Sequence, residues 1–425
     1  MNYYSELSTK IFHKKTQIAI IGLGYVGLPL ALQFSKKKFN VTGFDIDKIK
    51  INKLNKAKSY IKHISDSEIK NYKKRISFTS NFKKISICDV IILCLPTPVT
   101  KNFKPDLSFI KKTMQNINNF LRKGQILILE SSTYPGSTKQ ILTPYLKRFK
   151  IGINFFLGYS PEREDPNNSK FKLKNIPKIC SGYTNTCLNV TANIYKKIIK
   201  KIIKVSNIET AEFVKLYENI YRSVNIGLVN ELKMVSNKLN LNIYEIIKAA
   251  STKPFGFQAF YPGPGVGGHC IPVDPYYLSW IAKKNNIKTN LIYHAGKINS
   301  SMPNWVISEI LKKKKIKKVL IIGVAYKKDL DDTREAPAIN FIKILKKKKI
   351  SVNYHDPNVK SLKSRKLKST LISKKLNARE LKKYDCVIIV TNHSNIDYNL
   401  IRKNSKLIID TRNILPKNNS NIIQL

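Results

Sequence analysis

A cysteine in a glycine-rich segment is the residue best suited to nucleophilic chemistry. Cys270 is preceded by four glycines in the segment FYPGPGVGGHCIPVDPYYL. These glycines predict a flexible loop that leads into a helix beginning near Cys270, and a helix N-terminus favours the reactive thiolate. Asp274 shares a helical face with Cys270 if the helix continues past Pro272. A small buried thiol without a reactive role is the alternative.

A second set of polar residues has helical spacing. Glu212, Lys215, Asn219 and Arg222 are separated by three, four and three positions, which places them on one face of a helix. Such a pattern usually marks a solvated polar face. Here Asn219 and Arg222 lie among apolar neighbours and require partners if they are covered. The spacing alone leaves both interpretations open.

Three glycines form a nucleotide-binding motif. Gly22, Gly24 and Gly27 make GxGxxG directly after a predicted strand and at the opening of a predicted helix. The glycines allow a tight turn, the approach of a pyrophosphate to the backbone, and close packing of helix and strand. Asp45 follows Gly27 by eighteen residues, where a carboxylate binds the ribose 2′-hydroxyl and repels a 2′-phosphate. The motif predicts NAD rather than NADP, and a glycine turn that only packs is the alternative.

The elements that must hold these residues alternate between strands and helices. Apolar strand-like runs at 17–21, 40–44 and 125–129 are separated by helical segments, which predicts a parallel sheet with helices on both faces. A long central helix, or two helices end to end, is predicted from about Glu209 to Leu239. A second α/β pattern begins near Lys317 with KVLIIGVAY. We therefore expect two Rossmann-like α/β domains joined by a helical connector.

The bulk composition argues against several classes of protein. Hydrophobic residues make up 42% of the 425 residues, which allows buried cores. The sequence has no apolar run of about eighteen residues and no apolar secretion signal, so a cytoplasmic location is expected. The six cysteines lack CxxC spacing, which indicates reduced thiols and no metal site.

The formal net charge of +50 needs separate consideration. By itself it favours a nucleic acid or an anionic surface as partner. Lysine, isoleucine and asparagine are enriched together, and mutational drift toward AT-rich codons accounts for all three. Lysine runs such as 312–315 and 346–349 are typical of solvated helix ends or loops. We therefore expect no nucleic-acid or membrane partner, and a polyanion-binding role is the alternative.

The chain resembles the UDP-glucose/GDP-mannose dehydrogenase family from about Gln17 to Asn413. The motifs that carry the resemblance follow the family's order and are GLGYVGLPLA, PTP, SSTYPG, SPERE, AEFVKLYENIYRSVNIGLVNE, GPGVGGHCIPVDPYYL and GVAYKKDLDDTREAPA. The sequence is most similar to the bacterial UDP-N-acetylglucosamine 6-dehydrogenase branch, in SYIKHI (59–64), SPEREDP (160–166) and KPFGFQAFYPGPG (253–265).

This resemblance implies both an architecture and a reaction. It implies an NAD-binding Rossmann domain (1–206), a central helical dimerisation and catalytic region (207–302) and a C-terminal UDP-binding α/β domain (303–425). The implied assembly is a homodimer or a higher homo-oligomer. The implied reaction is the four-electron oxidation of the C6 alcohol of a UDP-sugar to a carboxylate with two NAD, which serves surface polysaccharide precursor synthesis.

The resemblance also implies the residues that carry out the oxidation. Cys270 corresponds to the nucleophile that holds the aldehyde as a thiohemiacetal, from which hydride transfer gives a thioester. Lys215 and Asn219 correspond to residues that stabilise the developing oxyanion. Asp274 corresponds to a carboxylate that supports the lysine and the water.

Hydrolysis of the thioester is implied to depend on Glu162 and Thr133, which position or deprotonate the water. Glu162 corresponds to a glutamate of the family motif, whereas Glu164 has no such match, because UDP-glucose dehydrogenases usually have SPEFLRE where this chain has SPEREDP. His269 before the cysteine is typical of the N-acetyl-hexosamine branch. Lys253 lies near the position of an arginine that some relatives donate across the dimer interface.

Further positions correspond to binding residues of the family. Those for the cofactor are Gly22, Gly24, Tyr25, Val26, Gly27, Asp45, Thr97 and Arg334. Those for the substrate are Arg222, Lys327, Gly267 and Tyr261. The favoured substrate is UDP-N-acetylglucosamine, and UDP-N-acetylmannosamine and UDP-glucose are the alternatives.

Overall fold

The structure is a computed structural model that describes residues 2–62, 64–100, 102–164, 173–268, 271–364, 366–367, 369–416 and 420–425. Its first sheet contains strands β1 (Gln17–Ile21), β2 (Asn40–Phe44), β3 (Ile76–Thr79), β4 (Val90–Leu93), β5 (Ile126–Leu129), β6 (Phe156–Tyr159), β7 (Lys178–Gly182) and β8 (Ile202–Lys204). The helices of this part are α1 (Tyr3–Phe12), α2 (Gly27–Lys36), α3 (Lys48–Asn55), α4 (Asp66–Tyr72), α5 (Ser108–Ile117), α6 (Ser137–Leu142) and α7 (Asn185–Lys196).

The first sheet is mainly parallel and has the order β3-β2-β1-β4-β5-β6-β7-β8. Strands β1 to β6 are parallel to their neighbours, whereas β7 runs antiparallel to β6, and β8 is parallel to β7. The central strands are continuous runs of Ile, Leu and Val and are buried along their length, as expected for a sheet that is covered on both faces. The parallel sheet predicted from the sequence is confirmed, and the reversal at β7 is an addition to it.

The glycine motif lies where the order of the strands reverses, between β1 and β4. Gly22 has a φ of 94°, which an L side chain rarely adopts. A Cβ at Gly27 would lie 1.9 Å from the carbonyl oxygen of Gly22, so only glycine lets α2 start this close to β1. Ligands of open α/β sheets bind in the crevice at such a reversal.

A long helix leads out of this region. The connecting helices are α8 (Ile208–Lys238), α9 (Ile243–Ala250), α10 (Asp274–Lys284) and α11 (Asn290–Lys313). The chain divides into two compact units, of which the first comprises Met1–Glu218 and Tyr276–Ile287 and the second comprises Asn219–Pro275 and Lys288–Leu425. Helix α8 begins in the first unit and ends in the second, so the predicted connecting helix is confirmed. The predicted three-region division stays a prediction.

One helix begins later than predicted. The sequence pattern placed its start near Cys270, but 271–273 form a turn and α10 begins at Asp274. Pro275 explains the difference. A proline is tolerated in the first turn of a helix, but it has no N–H to donate to the carbonyl oxygen four residues earlier, so α10 does not extend back through 271–273. The expected sharing of a helical face by Asp274 and Cys270 involves a residue that lies outside the described ones.

The second unit contains a smaller parallel sheet with the order β10-β9-β13-β14-β15. Its strands are β9 (Lys318–Ile322), β10 (Ser351–His355), β13 (Cys386–Ile389), β14 (Ile408–Asp410) and β15 (Ile422–Gln424), and a separate pair is formed by β11 (Ser361–Leu362) and β12 (Leu371–Ile372). The helices are α12 (Pro337–Lys347), α13 (Ala378–Leu381) and α14 (Tyr398–Asn404). The predicted second α/β domain is thus confirmed. Among the described residues, no helix combines the length and apolar character that crossing a bilayer requires.

Two glycines of the motif should respond differently to the same substitution. Gly27→Ala should lower the free energy of unfolding by about 3 kcal/mol or more, because the added methyl group collides with backbone. Gly24→Ala is the matched control, since no described atom lies within 4 Å of the place that its methyl group would take, and it should change stability by less than about 1 kcal/mol. Denaturant unfolding of both variants tests this, and equal losses would contradict it.

Candidate active site

The turn after β1 is held by the predicted cofactor carboxylate. Asp45 follows β2 directly and is 8% exposed. Its Oδ2 accepts a hydrogen bond from the N–H of Leu23 at 3.0 Å, and its Oδ1 accepts from the N–H of Asp47 at 3.0 Å. The backbone at Gly24 is open where a side chain would otherwise stand. The turn, the helix N-terminus and the carboxylate therefore fit the pyrophosphate and ribose of NAD.

Three other residues predicted to bind the cofactor, Tyr25, Val26 and Thr97, lie in the first unit. Val26 immediately precedes α2, and Tyr25 packs against the hydrophobic core of the first unit. Thr97 is buried, and its carbonyl oxygen accepts a hydrogen bond from the hydroxyl of Tyr277 at 2.8 Å. The structure thus anchors Thr97 through its backbone, and the cofactor role of these residues stays a prediction.

Thr133 is held by a buried glutamate of the long helix. Glu212 in α8 is fully buried and accepts hydrogen bonds from the Thr133 hydroxyl at 3.2 Å and from the N–H of Gly136 at 2.6 Å. It also accepts from the Ser137 hydroxyl and from both the N–H and the hydroxyl of Thr138. Burial raises the pKa of the Glu212 carboxyl, while these hydrogen bonds oppose the rise. One carboxylate therefore joins Thr133 to the end of the SSTYPG turn and the start of α6.

Both carboxylate oxygen atoms of Glu162 accept hydrogen bonds, which fix the orientation of this side chain. Its Oε1 accepts the backbone N–H groups of Arg163 and Glu164, each at 2.7 Å, and its Oε2 accepts from Lys178 Nζ at 2.8 Å. Burial by itself would raise the pKa of the Glu162 carboxyl, but the charge and hydrogen bond of Lys178, together with the backbone N–H groups of Glu164 and Arg163, outweigh burial and lower the pKa. The charged form of Glu162 is thus the favoured one.

Lys215 in α8 is a buried lysine. It is 9% exposed, and no described residue forms a hydrogen bond or an ion pair with its ammonium. Removing a charge from water without a matching group is costly. Such a cation is suited to stabilise negative charge that appears during a reaction.

Asn219 and Asp274 form a buried pair within the second unit. The Asn219 side-chain amide donates a hydrogen bond to Oδ2 of Asp274 at 2.5 Å, and the two residues are 6% and 1% exposed. Two residues assigned to the site that are 55 positions apart in the chain are therefore in contact, and their roles stay predictions. The amide is fixed in orientation by this bond.

The glycine-rich loop is tightly packed within the second unit. A Cβ at Gly267 would meet Tyr326 Cβ at 2.7 Å and Pro337 Cδ at 2.8 Å, so this position has no room for a side chain. The N–H of Gly268 donates to the carbonyl oxygen of Arg334. Cys270 and its neighbour His269 lie outside the described residues, as do the last two residues of SPEREDP.

The remaining predicted binding residues differ in exposure. Arg334 forms an ion pair with Asp332 at 2.6 Å through Nη2. Arg222 and Tyr261 are exposed, and Lys327 is half-buried. These substrate and cofactor roles stay predictions.

Sequence reasoning missed two residues that order the site, Glu130 and Lys178, and it pointed to Glu212 only through its helical spacing. Glu130 directly follows the apolar strand β5, and an acidic residue at the end of a buried parallel strand is a usable signal. Lys178 offers no comparable local signal.

Three models of one family match the chain. The UDP-glucose/GDP-mannose dehydrogenase family matches with its NAD binding domain over 16–199, its central domain over 209–301 and its UDP binding domain over 320–417. These matches cover most of the chain and include every motif that carried the resemblance.

Individual relatives agree with this assignment. The chain is 36% identical over 355 residues to the UDP-N-acetyl-D-glucosamine 6-dehydrogenase of Pseudomonas aeruginosa, covering 81% of this chain and 83% of the relative. It is 34% identical to the protein of the same name from Salmonella typhi, covering 96% and 98%. The structure of UDP-D-ManNAc dehydrogenase from Pyrococcus horikoshii has a TM-score of 0.85 at 31% identity and covers 96% and 98%. The chain therefore belongs to the UDP-glucose/GDP-mannose dehydrogenase family and is an NAD-dependent UDP-sugar dehydrogenase, as its motifs predicted.

Proposed function

We propose that this chain oxidises the C6 alcohol of UDP-N-acetylglucosamine to the carboxylate, and that the product serves surface polysaccharide synthesis. The observation that carries the proposal is the buried, unpartnered Lys215 among the described residues, on the same helix as the oriented amide of Asn219. The choice of sugar is supported by the two relatives named as UDP-N-acetyl-D-glucosamine 6-dehydrogenases.

The proposed oxidation uses Cys270 as the nucleophile. NAD supplies the hydride acceptor for both oxidations. The Cys270 sulfur adds to the carbonyl carbon of the C6 aldehyde, which becomes a thiohemiacetal and cannot escape between the two oxidations. Lys215 and Asn219 stabilise the oxygen anion, and each such donor contributes about 3–4 kcal/mol to lowering the barrier in comparable sites. Asp274 fixes the Asn219 amide for this task.

The proposed hydrolysis uses Glu162 and Thr133. Water attacks the thioester carbon, the carbon–sulfur bond breaks, Cys270 leaves as the thiolate, and the water proton passes to Glu162. Because the Thr133 hydroxyl donates its hydrogen to Glu212, its oxygen lone pairs are oriented to accept a hydrogen bond from water.

The sugar is the finer part of this proposal. UDP-N-acetylmannosamine is the second candidate, supported by the structural similarity to the Pyrococcus horikoshii protein. UDP-glucose is a third. A relative that binds polyanions instead of catalysing is the remaining alternative, and only the net charge of +50 favours it.

The first prediction of this function concerns stoichiometry. Purified protein supplied with NAD should form two NADH for each UDP-N-acetylglucosamine consumed, because an alcohol is converted to an acid in two oxidations. UDP-N-acetylmannosamine and UDP-glucose, assayed in parallel by absorbance, should react more slowly. One NADH per sugar would show that the reaction stops at the aldehyde. No NADH from folded, NAD-binding protein would favour another nucleotide sugar or the polyanion-binding alternative.

Cys270→Ser tests the covalent step in the same assay. A serine hydroxyl is a much weaker nucleophile at neutral pH than a thiolate, so acid formation should fall by roughly a thousandfold or more. The buried Cys180→Ser is the matched control, and it should retain activity if it folds. Unimpaired acid formation by Cys270→Ser would refute the thioester.

A further prediction concerns cofactor choice. Asp45→Asn removes the charge that repels a 2′-phosphate and weakens the hydrogen bond to the ribose. The Kd for NAD should therefore rise roughly 10-fold or more, and the preference for NAD over NADP should fall. Asp47→Asn is the matched control, because Asp47 carries the same charge two residues on but caps α3. Calorimetric titration of both variants measures this, and an unchanged preference in Asp45→Asn would contradict the assignment.

We also propose a homodimer that forms through α8. Apolar side chains that are 43% to 61% exposed recur along this helix and its end with spacings of seven, four, three and four, at Tyr221, Leu228, Leu232, Val235 and Leu239. This spacing produces one continuous apolar stripe. A second copy offers an identical stripe, so a two-fold pairing covers both at once.

The dimer is tested by placing a charge in the stripe. Leu232→Asp should yield monomers, because a carboxylate in the middle of an apolar interface is not matched. Leu291→Asp is the control, since Leu291 is 70% exposed and lies outside the stripe. Light scattering coupled to size exclusion measures the mass, and a wild-type monomer would refute the proposal.

A further inference from the structure

A buried lysine joins two glutamates in the first unit. Lys178 Nζ lies 3.0 Å from Glu130 Oε1 and 2.8 Å from Glu162 Oε2. The side chains of Lys178, Glu130 and Glu162 are 3%, 0% and 12% exposed. A buried ion pair is often no more stabilising than apolar residues of similar volume, so stability alone does not account for this cluster.

The reversal of one strand brings these residues together. Glu130 follows β5 and Glu162 follows β6 by a few residues, so both lie at the carboxyl edge of the sheet. Because β7 runs antiparallel to β6, its first residue, Lys178, lies at that same edge. A parallel β7 would present its last residue there instead.

The cluster is closed by uncharged donors. The Tyr195 hydroxyl donates to Glu130 Oε1, and the Cys94 thiol lies 3.7 Å from Glu130 Oε2. Burial raises the pKa of both Cys94 and Tyr195, so both stay neutral. Burial also raises the pKa of Glu130, whereas that of Glu162 is lowered, so Glu162 keeps the negative charge at the lower pH.

We propose that Lys178, anchored by Glu130, is the positioning residue that holds Glu162 as an oriented carboxylate for hydrolysis of the thioester. This inference rests on the proposed function. Lys178 occupies one oxygen of Glu162 and the backbone N–H groups of Arg163 and Glu164 occupy the other, so the carboxylate cannot rotate freely.

The neighbouring cation does not replace Lys178. Arg163 directs its guanidinium to Glu218 at 2.7 Å and to the carbonyl oxygen of Pro177 at 2.7 Å. The ionisable groups that interact with Glu162 are Cys94 after β4, Glu130 after β5 and Lys178 at the start of β7, whereas Tyr195 and Cys180 interact with Glu130. Among the described residues, Lys178 is the cation that contacts the Glu162 carboxylate directly.

The test compares the paired variant Lys178→Met/Glu130→Gln with Lys178→Met, Lys178→Arg and the wild type. The paired variant removes one charge of each sign, so it keeps the net charge of the buried cluster and guards against loss of folding. Without Lys178, hydrolysis should slow roughly 10- to 100-fold, as when supporting partners of reactive groups are removed. Intact-mass measurement should then show the acyl group retained on the protein after a first burst of NADH, with an unchanged KM for the sugar.

The pH dependence separates a positioning role from a structural one. In the wild type, the lowered pKa of Glu162 means that its contribution to stability is present above its unfolded value and is lost as the pH falls through the folded value. In the paired variant, burial is no longer offset by an ammonium, so the pKa rises and the acid limb of the hydrolysis rate moves to higher pH. Lys178→Arg keeps the charge and should restore the position of this limb.

Unfolding measured from about pH 4 to pH 8 gives a readout that is independent of activity. Glu130→Gln and the paired variant both lack the Glu130 carboxyl and differ only in Lys178, so the stability of Glu130→Gln relative to the paired variant should increase with pH. Parallel curves would refute the charge pairing. Lys204→Met is the control, since Lys204 lies in the adjacent strand β8 and bonds only to Asn189 among the described residues. If the wild-type protein forms no uronate, the proposed function is overturned. If the wild type is active but the paired variant shows neither a shifted acid limb of the hydrolysis rate nor a retained acyl group, only the role of Lys178 is overturned.

Discussion

The candidate site depends on one constraint, which is that a buried parallel sheet leaves room for polar groups only at its carboxyl edge. The interior of the sheet consists of apolar strands such as β4 and β5, which leave no place for charge. Charged side chains are therefore found where strands end, and each needs a partner because it is still largely covered. Asp45 meets the N–H of Leu23, and Glu130 meets Lys178. The site is ordered because these residues cannot be left unmatched.

The two units solve this problem in a similar way. In the first unit, Asp45 follows the second strand of its sheet and accepts the N–H of Leu23, which follows the first strand. In the second unit, Asp356 follows β10 and accepts the N–H groups of Val324 and Ala325, which follow β9. The second carboxylate is also bonded to the buried His393 at 3.1 Å. A carboxylate thus closes the turn at the reversal of strand order in both sheets, although only the first turn carries GxGxxG.

Local features were predictable from the sequence, and features that depend on register were not. The glycine motif and the long helix α8 are local patterns whose structure follows from spacing alone, and the structure agrees with both. Asp45 lies at the turn after β1, and its role toward the cofactor stays a prediction. The contact between Lys178 and Glu162 depends on the direction of β7, which no apolar run encodes. The glycines before Cys270 predict a helix that begins near that residue, whereas α10 begins at Asp274 with Pro275 in its first turn. The family motifs include Glu162, Thr133 and Glu212, but they do not indicate which of these residues contact one another, and Lys178 lies outside all of them.

The reversed strand has a consequence for how this protein tolerates change in chain length. The pairing of Gly158 with Gly182 and of Tyr159 with Ser181 fixes both ends of the segment between β6 and β7. Glu162 and Lys178 lie close to these fixed ends, and their own contact joins the ends once more. The relative position of Glu162 and Lys178 is therefore set by the paired strand ends and by their own ion pair, so a change in chain length disturbs the pair only where it alters one of these contacts.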